Sequence, residues 1–511
     1  MTKDELFQQI LLARQRVYAV GEKTPLHRIP MPEVDAEIWV KREDLGPIKA
    51  YKWRGAYNAM ASLTESERQR GIVAASAGNH AQGVALAARH LDCKATIFMP
   101  RSTPTVKQRE VLRHGGDAVT IQLVGDNYDD ASEAANAHCE STGGVFIHPY
   151  NSPATMGGQG TLADEIVMSG DGPFDRVYVA IGGGGLASAV ACWIKWYWPE
   201  CQVIGVEGVD QASMKAAIDA GKPTELDYVD VFCDGTAVRK VGDLTFGLCR
   251  ELLDGIVTVT NDEVSGAIRQ LWEANRVIPE PSGAMGLAAF QKDYQSGNIP
   301  SGEKVLTIVC GANMDFAQLG NIARQAGIGD KQQRYLRIEI GETPGTFEQI
   351  LRVLRTDVSV IDMQYGKMSS DSAFPVLGLS GTHDDFVILE KSLSDQNIAY
   401  DDVTDEDFGN YRIIHYRPEL FQNPVFINVE FPERAGALLE FMSRVKDYAN
   451  LCYFNYAYSG ERVGRALVGM EFENLTQQKH CREAIDQMVG ENIRAILPVS
   501  ESMLESLGVS Q

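Results

Sequence analysis

No run of apolar residues in the 511-residue chain is long enough to span a bilayer. The opening Met1-Thr2-Lys3-Asp4-Glu5-Leu6-Phe7 is charged and has no extended apolar core, so no secretory signal is expected. The nine cysteines form neither a CxxC pair nor a zinc-ligand spacing. They read as reduced thiols, mostly filling cores, and no metal is expected. Basic residues are outnumbered, 47 Lys and Arg against 69 Asp and Glu, for a formal net charge of -22. That balance argues against nucleic acid or an anionic membrane as the main partner. It still allows a local basic pocket for a phosphate or a carboxylate. A cytoplasmic enzyme is the default that these absences leave.

What is there is normal globular material, 44% hydrophobic and 23% charged. The chain is too long for one ordinary domain. Its first two-thirds alternates short apolar runs with helical stretches. The runs are Gly71-Ile72-Val73-Ala74-Ala75, Ala95-Thr96-Ile97-Phe98-Met99, Ala118-Val119-Thr120-Ile121, Gly144-Val145-Phe146-Ile147, Arg176-Val177-Tyr178-Val179-Ala180-Ile181, Gln202-Val203-Ile204-Gly205-Val206 and Val305-Leu306-Thr307-Ile308-Val309. Helices are expected over 161–169 and 262–275, among others. Buried strands alternating with helices indicate a parallel α/β architecture, in which ligands sit at the carboxyl ends of the strands.

The texture changes at the polar, glycine-bearing Gly327-Ile328-Gly329-Asp330-Lys331-Gln332-Gln333, the expected domain boundary. Beyond it lies an internal repeat. Tyr335-Leu336-Arg337-Ile338-Glu339-Ile340 alternates like a half-buried strand and runs into Glu342-Thr343-Pro344-Gly345-Thr346-Phe347. Val425-Phe426-Ile427-Asn428-Val429-Glu430-Phe431 does the same and runs into Pro432-Glu433-Arg434-Ala435-Gly436-Ala437-Leu438. Each copy continues with two strands, a helix and a last strand, a tandem βαββαβ pair.

Three short segments carry candidate chemistry. Lys52 stands between Tyr51 and Trp53, whose rings would desolvate an amine that must be neutral part of the time. A surface lysine at a helix start explains the local sequence equally well. Ser76-Ala77-Gly78-Asn79-His80 ends a strand and opens a helix, where free N–H groups bind anions such as a carboxylate. An ordinary capped helix start is the plainer alternative. Gly182-Gly183-Gly184-Gly185-Leu186 also joins a strand to a helix, and four successive glycines let the backbone wrap a phosphate. A dinucleotide fingerprint is the competitor. It fails because Ala187 is followed by Ser188 where a glycine is required.

Together these segments resemble the biosynthetic threonine deaminases (threonine ammonia-lyases), fold-type II pyridoxal-phosphate enzymes, over nearly the whole chain. The resemblance also rests on Thr24-Pro25-Leu26, Lys41-Arg42-Glu43-Asp44, Gly158-Gln159-Gly160-Thr161, Asp234-Gly235-Thr236-Ala237-Val238, Glu280-Pro281-Ser282-Gly283-Ala284 and Cys310-Gly311-Ala312-Asn313. It implies an α/β, tryptophan synthase β-like catalytic domain over 1–329, with a smaller subdomain at roughly 56–154. ACT-like regulatory domains would follow over 334–405 and 424–499.

The family's roles fall here on Lys52 as Schiff-base lysine and base at Cα. Tyr51 lies beside the cofactor, and Asn79 meets its 3′-oxygen. Ser76, Ala77, Gly78, Asn79 and His80 hold the substrate carboxylate, while Gly182, Gly183, Gly184, Gly185 and Leu186 hold the phosphate. Cys310 stands beside the pyridine nitrogen, where the family usually has serine. Ala50 and Trp53 also depart from the usual residues, and Trp53 is expected to reshape packing beneath the cofactor. Ala77 offers only a methyl where the related serine racemases carry a second base, so elimination without racemisation is expected. L-threonine, with L-serine or hydroxyaspartate as alternatives, would be the substrate. Isoleucine and valine would be effectors of a homotetramer, with the 342–347 and 433–438 turns as candidate effector regions. A non-catalytic amino-acid sensor is the rival outside the enzymes.

Overall fold

The structure, a computed structural model, describes residues 1–329 and, of 332–507, all but 342–352, 355–357, 365–371, 405, 407–420, 422, 433–436, 458–462 and 491–492. The chain divides into two compact units, Met1–Ile322 and Ala323–Gln511.

The first unit holds strands β1 (Leu26–Ile29), β2 (Ala36–Arg42), β3 (Ile72–Ala75), β4 (Ala95–Met99), β5 (Val119–Leu123), β6 (Val145–Phe146), β7 (Arg176–Ala180), β8 (Gln202–Gly208), β9 (Gly255–Val259) and β10 (Glu303–Val309). They form a six-stranded sheet in the order β1-β2-β10-β7-β8-β9 and a four-stranded sheet in the order β5-β4-β3-β6. Every pair is parallel except β1 with β2.

Both sheets are covered on both faces, which is why their strands read as continuous apolar runs. In the large sheet Val177, Val179, Val203, Leu306 and Ile308 face a core shared with helices Lys3–Val17, Pro153–Met168 and Gly185–Tyr197. Their alternate neighbours Tyr178, Ala180, Ile204, Val206, Val305 and Val309 face a second core with helices Asn261–Asn275 and Pro281–Gln295. The small sheet repeats the plan. Ile72, Ala74, Ile97 and Met99 pack with helices Lys52–Ser62 and Asn79–His90, and Val73, Ala75 and Phe98 pack with helix Tyr128–Thr142. The expected α/β class is what the structure has. Sequence alone did not give the antiparallel edge strand β1, and β6 is shorter than the run around it.

Beneath the small sheet the helix Lys52–Ser62 is fastened by buried charge. Arg54 Nε and Nη2 lie 2.8 and 3.0 Å from the two oxygens of Glu43, and its Nη1 and Nη2 lie 2.5 and 3.0 Å from those of Glu165. Lys41 Nζ is 2.6 Å from Glu165, and Thr24 donates its hydroxyl to Glu43. Lys41, Glu43 and Arg54 are fully buried. Two cations against two carboxylates make the cluster neutral, the condition under which buried charge is tolerated.

In the second unit the first copy of the repeat contributes β11 (Gln333–Ile338), β12 (Ile340–Gly341), β13 (Ser359–Gln364), β14 (Ser372–Ala373), β15 (Val376–Ser380), helix His383–Asp395 and β16 (Tyr400–Asp402). The second contributes β17 (Val425–Pro432), helix Ala437–Val445, β18 (Asn450–Ala457), β19 (Val463–Glu471), helix Leu475–Asp486 and β20 (Ala495–Leu497). The main sheets run β13-β15-β11-β16 and β18-β19-β17-β20, both antiparallel, so corresponding strands hold corresponding places. Of the candidate effector turns, 342–347 and 433–436 lie outside the described residues.

Replacing Arg54 by methionine leaves Glu43 and Glu165 buried with Lys41 as their remaining cation. The first unit is expected to lose about 3–5 kcal/mol of stability, read as a lower denaturant midpoint for its unfolding transition. An unchanged midpoint would show that the cluster is not fastening this helix.

Candidate active site

Lys52 opens the helix Lys52–Ser62, and the segment before it is stitched to the exit of β10. Ala50 bridges to Gly311, the Tyr51 N–H donates to the Cys310 carbonyl at 3.0 Å, and the Ala312 N–H donates to the Lys49 carbonyl at 2.9 Å. Lys49 turns the chain with a φ of +58°, rare for a residue with a side chain. The Lys52 ammonium lies 5.2 Å from the centre of the Tyr51 ring. Burial lowers the Lys52 pKa, with Cys310 and Glu280 pulling the other way. The neutral, nucleophilic amine is thereby brought closer to physiological pH. The Tyr51 phenol is pushed well above its ordinary value, chiefly by burial, and is neutral.

Ser76-Ala77-Gly78 leaves β3 and enters the helix Asn79–His90, which has no side-chain cap. Ser76 Oγ accepts the Gly78 N–H at 3.2 Å, and space opens beside Gly78 where a side chain would stand. An uncapped helix start with room in front of it suits a carboxylate. The His80 ring is buried and sits 2.8 Å from the Ile147 carbonyl through Nε2. A carbonyl only accepts, so Nε2 carries the proton, and burial lowers the His80 pKa to about 3. His80 is a neutral side chain whose position in the loop is fixed from behind.

Asn79 sits in a network that ties the two sheets together. Its Nδ2 donates to Glu280 Oε1 at 2.8 Å, and its Oδ1 accepts from Asn313 Nδ2 at 2.8 Å. The Asn313 N–H donates to Glu280 Oε2 at 3.0 Å, and Asn313 Nδ2 also donates to the Ile48 carbonyl at 2.6 Å. Glu280 is buried, and burial followed by Asp234 pushes its pKa up to about 7.

The four glycines after β7 lead into helix Gly185–Tyr197, which again has no side-chain cap. Gly183 and Gly185 lie on Tyr150. A Cβ would come within 2.2 Å of its ring at the first and 2.9 Å of its Cβ at the second. Gly184 turns with a φ of +88°. The loop's carbonyls are drawn backwards, Gly183 to Thr245 Oγ1 at 2.6 Å and Gly184 to Ser188 Oγ at 2.8 Å. Leu186 is buried in the core, so its side chain faces away from any ligand. Gly182 abuts Thr236, whose hydroxyl lies 3.4 Å from that of Ser282, two residues beyond Glu280.

Cys310 is buried, and burial raises its thiol pKa far beyond neutrality. It offers an uncharged partner to whatever it faces. The uncapped glycine cradle suits a phosphate, the partly desolvated lysine suits a carbonyl and the neutral thiol suits a ring nitrogen. The donor set therefore fits pyridoxal phosphate.

Lys52, Asn79 and Cys310 are brought together through Glu280 and the exit of β10. The glycine loop joins them through Thr236 and Ser282 on one side and Tyr150 on the other. Trp53 has a defined place. Its ring packs with Val17, Ile48 and Ala50 and lies where a Cβ on Gly21 would come within 1.9 Å, so it fills the joint behind the lysine. Glu280, Asn313, His148 and Tyr150 carried no assigned role in the sequence. The available signal was an acid directly before Pro281 at the head of an apolar helix, where no ion-pair partner is adjacent. Burial lowers the pKa of His148 to about 4, and its Nδ1 accepts the N–H groups of Tyr150 and Asn151 at 3.2 and 2.9 Å.

The family model described as pyridoxal-phosphate dependent enzyme matches residues 18–311, and that of the C-terminal regulatory domain of threonine dehydratase matches residues 418–496. The chain is 36% identical over 481 residues to the biosynthetic L-threonine dehydratase IlvA of Haemophilus influenzae, covering 93% of both chains. It is 36% identical over 464 residues to that of Escherichia coli, covering 90% of this chain and 89% of the other. Among solved structures, the processed form of threonine deaminase isoform 2 from Solanum lycopersicum superposes with a TM-score of 0.61 at 38% identity, covering 64% of this chain and 95% of that one. The chain belongs to the biosynthetic threonine dehydratase family of pyridoxal-phosphate-dependent enzymes.

Proposed function

We propose that this protein is a biosynthetic threonine ammonia-lyase. It removes water from L-threonine by α,β-elimination and, after hydrolysis, releases 2-oxobutanoate and ammonia, a first committed step toward isoleucine. The observation that carries this reading is a partly desolvated Lys52, held against the exit of β10 by Ala50, Tyr51 and Cys310, in a chain of this family.

Pyridoxal phosphate, when bound, supplies the electron sink that stabilises negative charge at the substrate Cα. The protein supplies everything else. Lys52 is the attachment point, and its freed amine takes the Cα proton, which its lowered pKa favours. Ser76 and the N–H groups from Ala77 to His80 hold the substrate carboxylate and so orient the Cα–H bond. The N–H groups of Gly182, Gly183, Gly184, Gly185 and Leu186 hold the phosphate. Asn79 would hold the ring oxygen, Tyr51 would flank the cofactor, and Cys310 would offer the ring nitrogen a neutral partner. The Ala77 side chain is a methyl with no proton donor or acceptor, so this position supplies no second base opposite Lys52 and elimination prevails over racemisation.

In this reading residues 1–329 form the catalytic domain, its smaller subdomain at roughly 56–154, with regulatory domains over 334–405 and 424–499. Isoleucine inhibits and valine opposes it. The match of 418–496 to a regulatory domain of threonine dehydratase supports this division. An effector acts by binding one state better than another. The protein works as a homotetramer in the cytoplasm, in keeping with nine cysteines that are all free thiols.

Three measurements test this. Purified protein is expected to release oxoacid from L-threonine faster than from L-serine or hydroxyaspartate. Lys52→Ala should abolish turnover and the visible absorbance of lysine-bound cofactor, and that absorbance persisting in the variant overturns the assignment of Lys52. In the full-length enzyme, isoleucine should lower the rate at sub-saturating threonine and added valine should restore it. A rate indifferent to isoleucine would remove the regulatory half of the proposal.

A further inference from the structure

We infer that Glu280 is a positioning residue that acts through Asn79, fixing which end of that amide is presented to the ring oxygen of the cofactor. The inference rests on the reading of Asn79 as the residue that meets this oxygen.

An asparagine amide has a donor end and an acceptor end that are nearly the same shape, so its orientation is set by its neighbours. Here the neighbours leave no choice. The Ile48 carbonyl only accepts, so the Asn313 atom 2.6 Å from it is the nitrogen, Nδ2. That Nδ2 also lies 2.8 Å from Asn79, so the Asn79 atom facing it is the oxygen. Gln82 Oε1 is a longer third neighbour of Asn313 Nδ2, at 3.4 Å, and it too accepts. The remaining end of Asn79 is its nitrogen, and it faces Glu280 Oε1 at 2.8 Å. The other Glu280 oxygen takes the backbone N–H of Asn313 at 3.0 Å, and a backbone N–H only donates. Two fixed points, one carbonyl and one backbone N–H, thus determine the whole chain. Asn79 keeps one N–H and one oxygen lone pair for a ligand.

An ionised carboxylate is the side chain that suits this place, because both of its oxygens then accept. Glutamine cannot substitute. If its oxygen takes the Asn313 N–H, its NH2 meets the Asn79 nitrogen. Turning Asn79 to relieve that contact sets nitrogen against nitrogen at Asn313. If the glutamine oxygen serves Asn79 instead, its NH2 meets the Asn313 N–H. One donor is unpaired in every arrangement, at a buried site where that is costly.

The protein has made room for the carboxyl. A Cβ on Gly311 would stand 2.5 Å from Glu280 Oε1, and one on Gly235 would stand 3.2 Å from it. The Glu280 N–H is tied to the Gly311 carbonyl at 3.1 Å, so the residue is anchored to the same strand exit that anchors the Lys52 segment. The charged and titratable groups around it are Asp234, which is ion-paired with Lys107, and Lys52, Tyr51, Cys310 and Cys233. Burial and Asp234 bring Glu280 to titrate near about 7, so the strength with which it holds Asn79 varies in the working pH range.

The test is Glu280→Gln in the full-length enzyme, beside Asn79→Ala, with two readouts that do not depend on turnover. One is the affinity of apoenzyme for pyridoxal phosphate. The other is the pH titration of the visible band of bound cofactor, which reports loss of the proton shared between the lysine-linked nitrogen and the ring oxygen. Glu280→Gln is expected to weaken cofactor binding about tenfold or more and to displace the midpoint of the titration by about one pH unit. Asn79→Ala should do both at least as strongly. If Asn79→Ala shifts the band and Glu280→Gln leaves band and affinity unchanged, the positioning role is overturned and the reading of Asn79 stands. If neither variant moves either readout, both fall. Should Glu280→Gln fail to fold by circular dichroism, Glu280→Ala carries the test. It removes the acceptor that holds Asn79 Nδ2 and introduces no competing donor. A displaced midpoint is expected there too, and an unmoved one overturns the inference.

Discussion

The constraint on which the site depends is the neutral ion cluster of Arg54, Glu43, Glu165 and Lys41. Arg54 follows Lys52 by two residues, about 200° around the helix. One face of a single helical turn therefore carries the candidate reactive amine while the other is bolted to two carboxylates by four hydrogen bonds of 2.5–3.0 Å. A buried salt bridge is often no more stable than apolar packing of the same shape. What it adds is direction. The guanidinium fork fixes rotation of the helix about its axis, and with it the bearing of Lys52. Glu43 follows directly on β2, beside β10, and Glu165 lies on helix Pro153–Met168, so the lysine is referenced to the large sheet from below.

Close packing of small residues completes that reference. A Cβ on Gly158 would stand 2.4 Å from the Arg54 carbonyl, and one on Gly83 would stand 3.1 Å from the Lys52 carbonyl. Helices Asn79–His90 and Pro153–Met168 thus approach the lysine helix backbone to backbone, with little slack for a side chain to take up. Trp53 fills the third side, against Gly21. The lysine helix is confined by charge, by backbone contact and by an aromatic ring, and these are independent of the ligand-facing groups.

Much of this was legible in the sequence, and the rest was hidden for identifiable reasons. Parallel strands buried on both faces show as apolar runs, and the loops at their ends show as glycine and serine clusters. The candidate loops 76–80 and 182–186 were visible for that reason. The repeat was visible because β11 and β17 alternate with a period of two. Lys41-Arg42-Glu43-Asp44 was visible as a motif, but not as a buried one. Four consecutive charged residues look solvated until Arg54 and Glu165 arrive from elsewhere in the chain. Glu280 and Asn313 were hidden likewise, since their meaning lies in contacts with Asn79 and Ile48, each more than two hundred positions away. The packing of Trp53 against Val17, Gly21 and Ile48 was not legible, because it joins segments that only the fold brings together.

In the regulatory unit, alternation along the strands decides how the two repeats are joined. Leu336, Ile338, Leu377 and Leu379 face the helix of the first repeat, while Ile427, Val429, Phe431, Ala466 and Val468 face the helices of the second. Their alternates, Tyr335 and Val376 from one sheet and Phe426, Tyr453 and Leu467 from the other, share a single core closed by Met503, Leu504 and Leu507. Polar groups on these same faces are also withdrawn from water. Arg337 pairs with Glu505 at 3.3 Å and Glu430 with Arg465 at 3.0 Å. The two sheets are therefore packed back to back, and each repeat has one sheet face that is covered by the other repeat and by the C-terminal helix. A ligand that shifts a strand in one repeat must repack a core belonging equally to its neighbour. Packed interiors move between discrete arrangements and do not deform smoothly. The two repeats share that core, and the duplication visible in the sequence has become a single packed element.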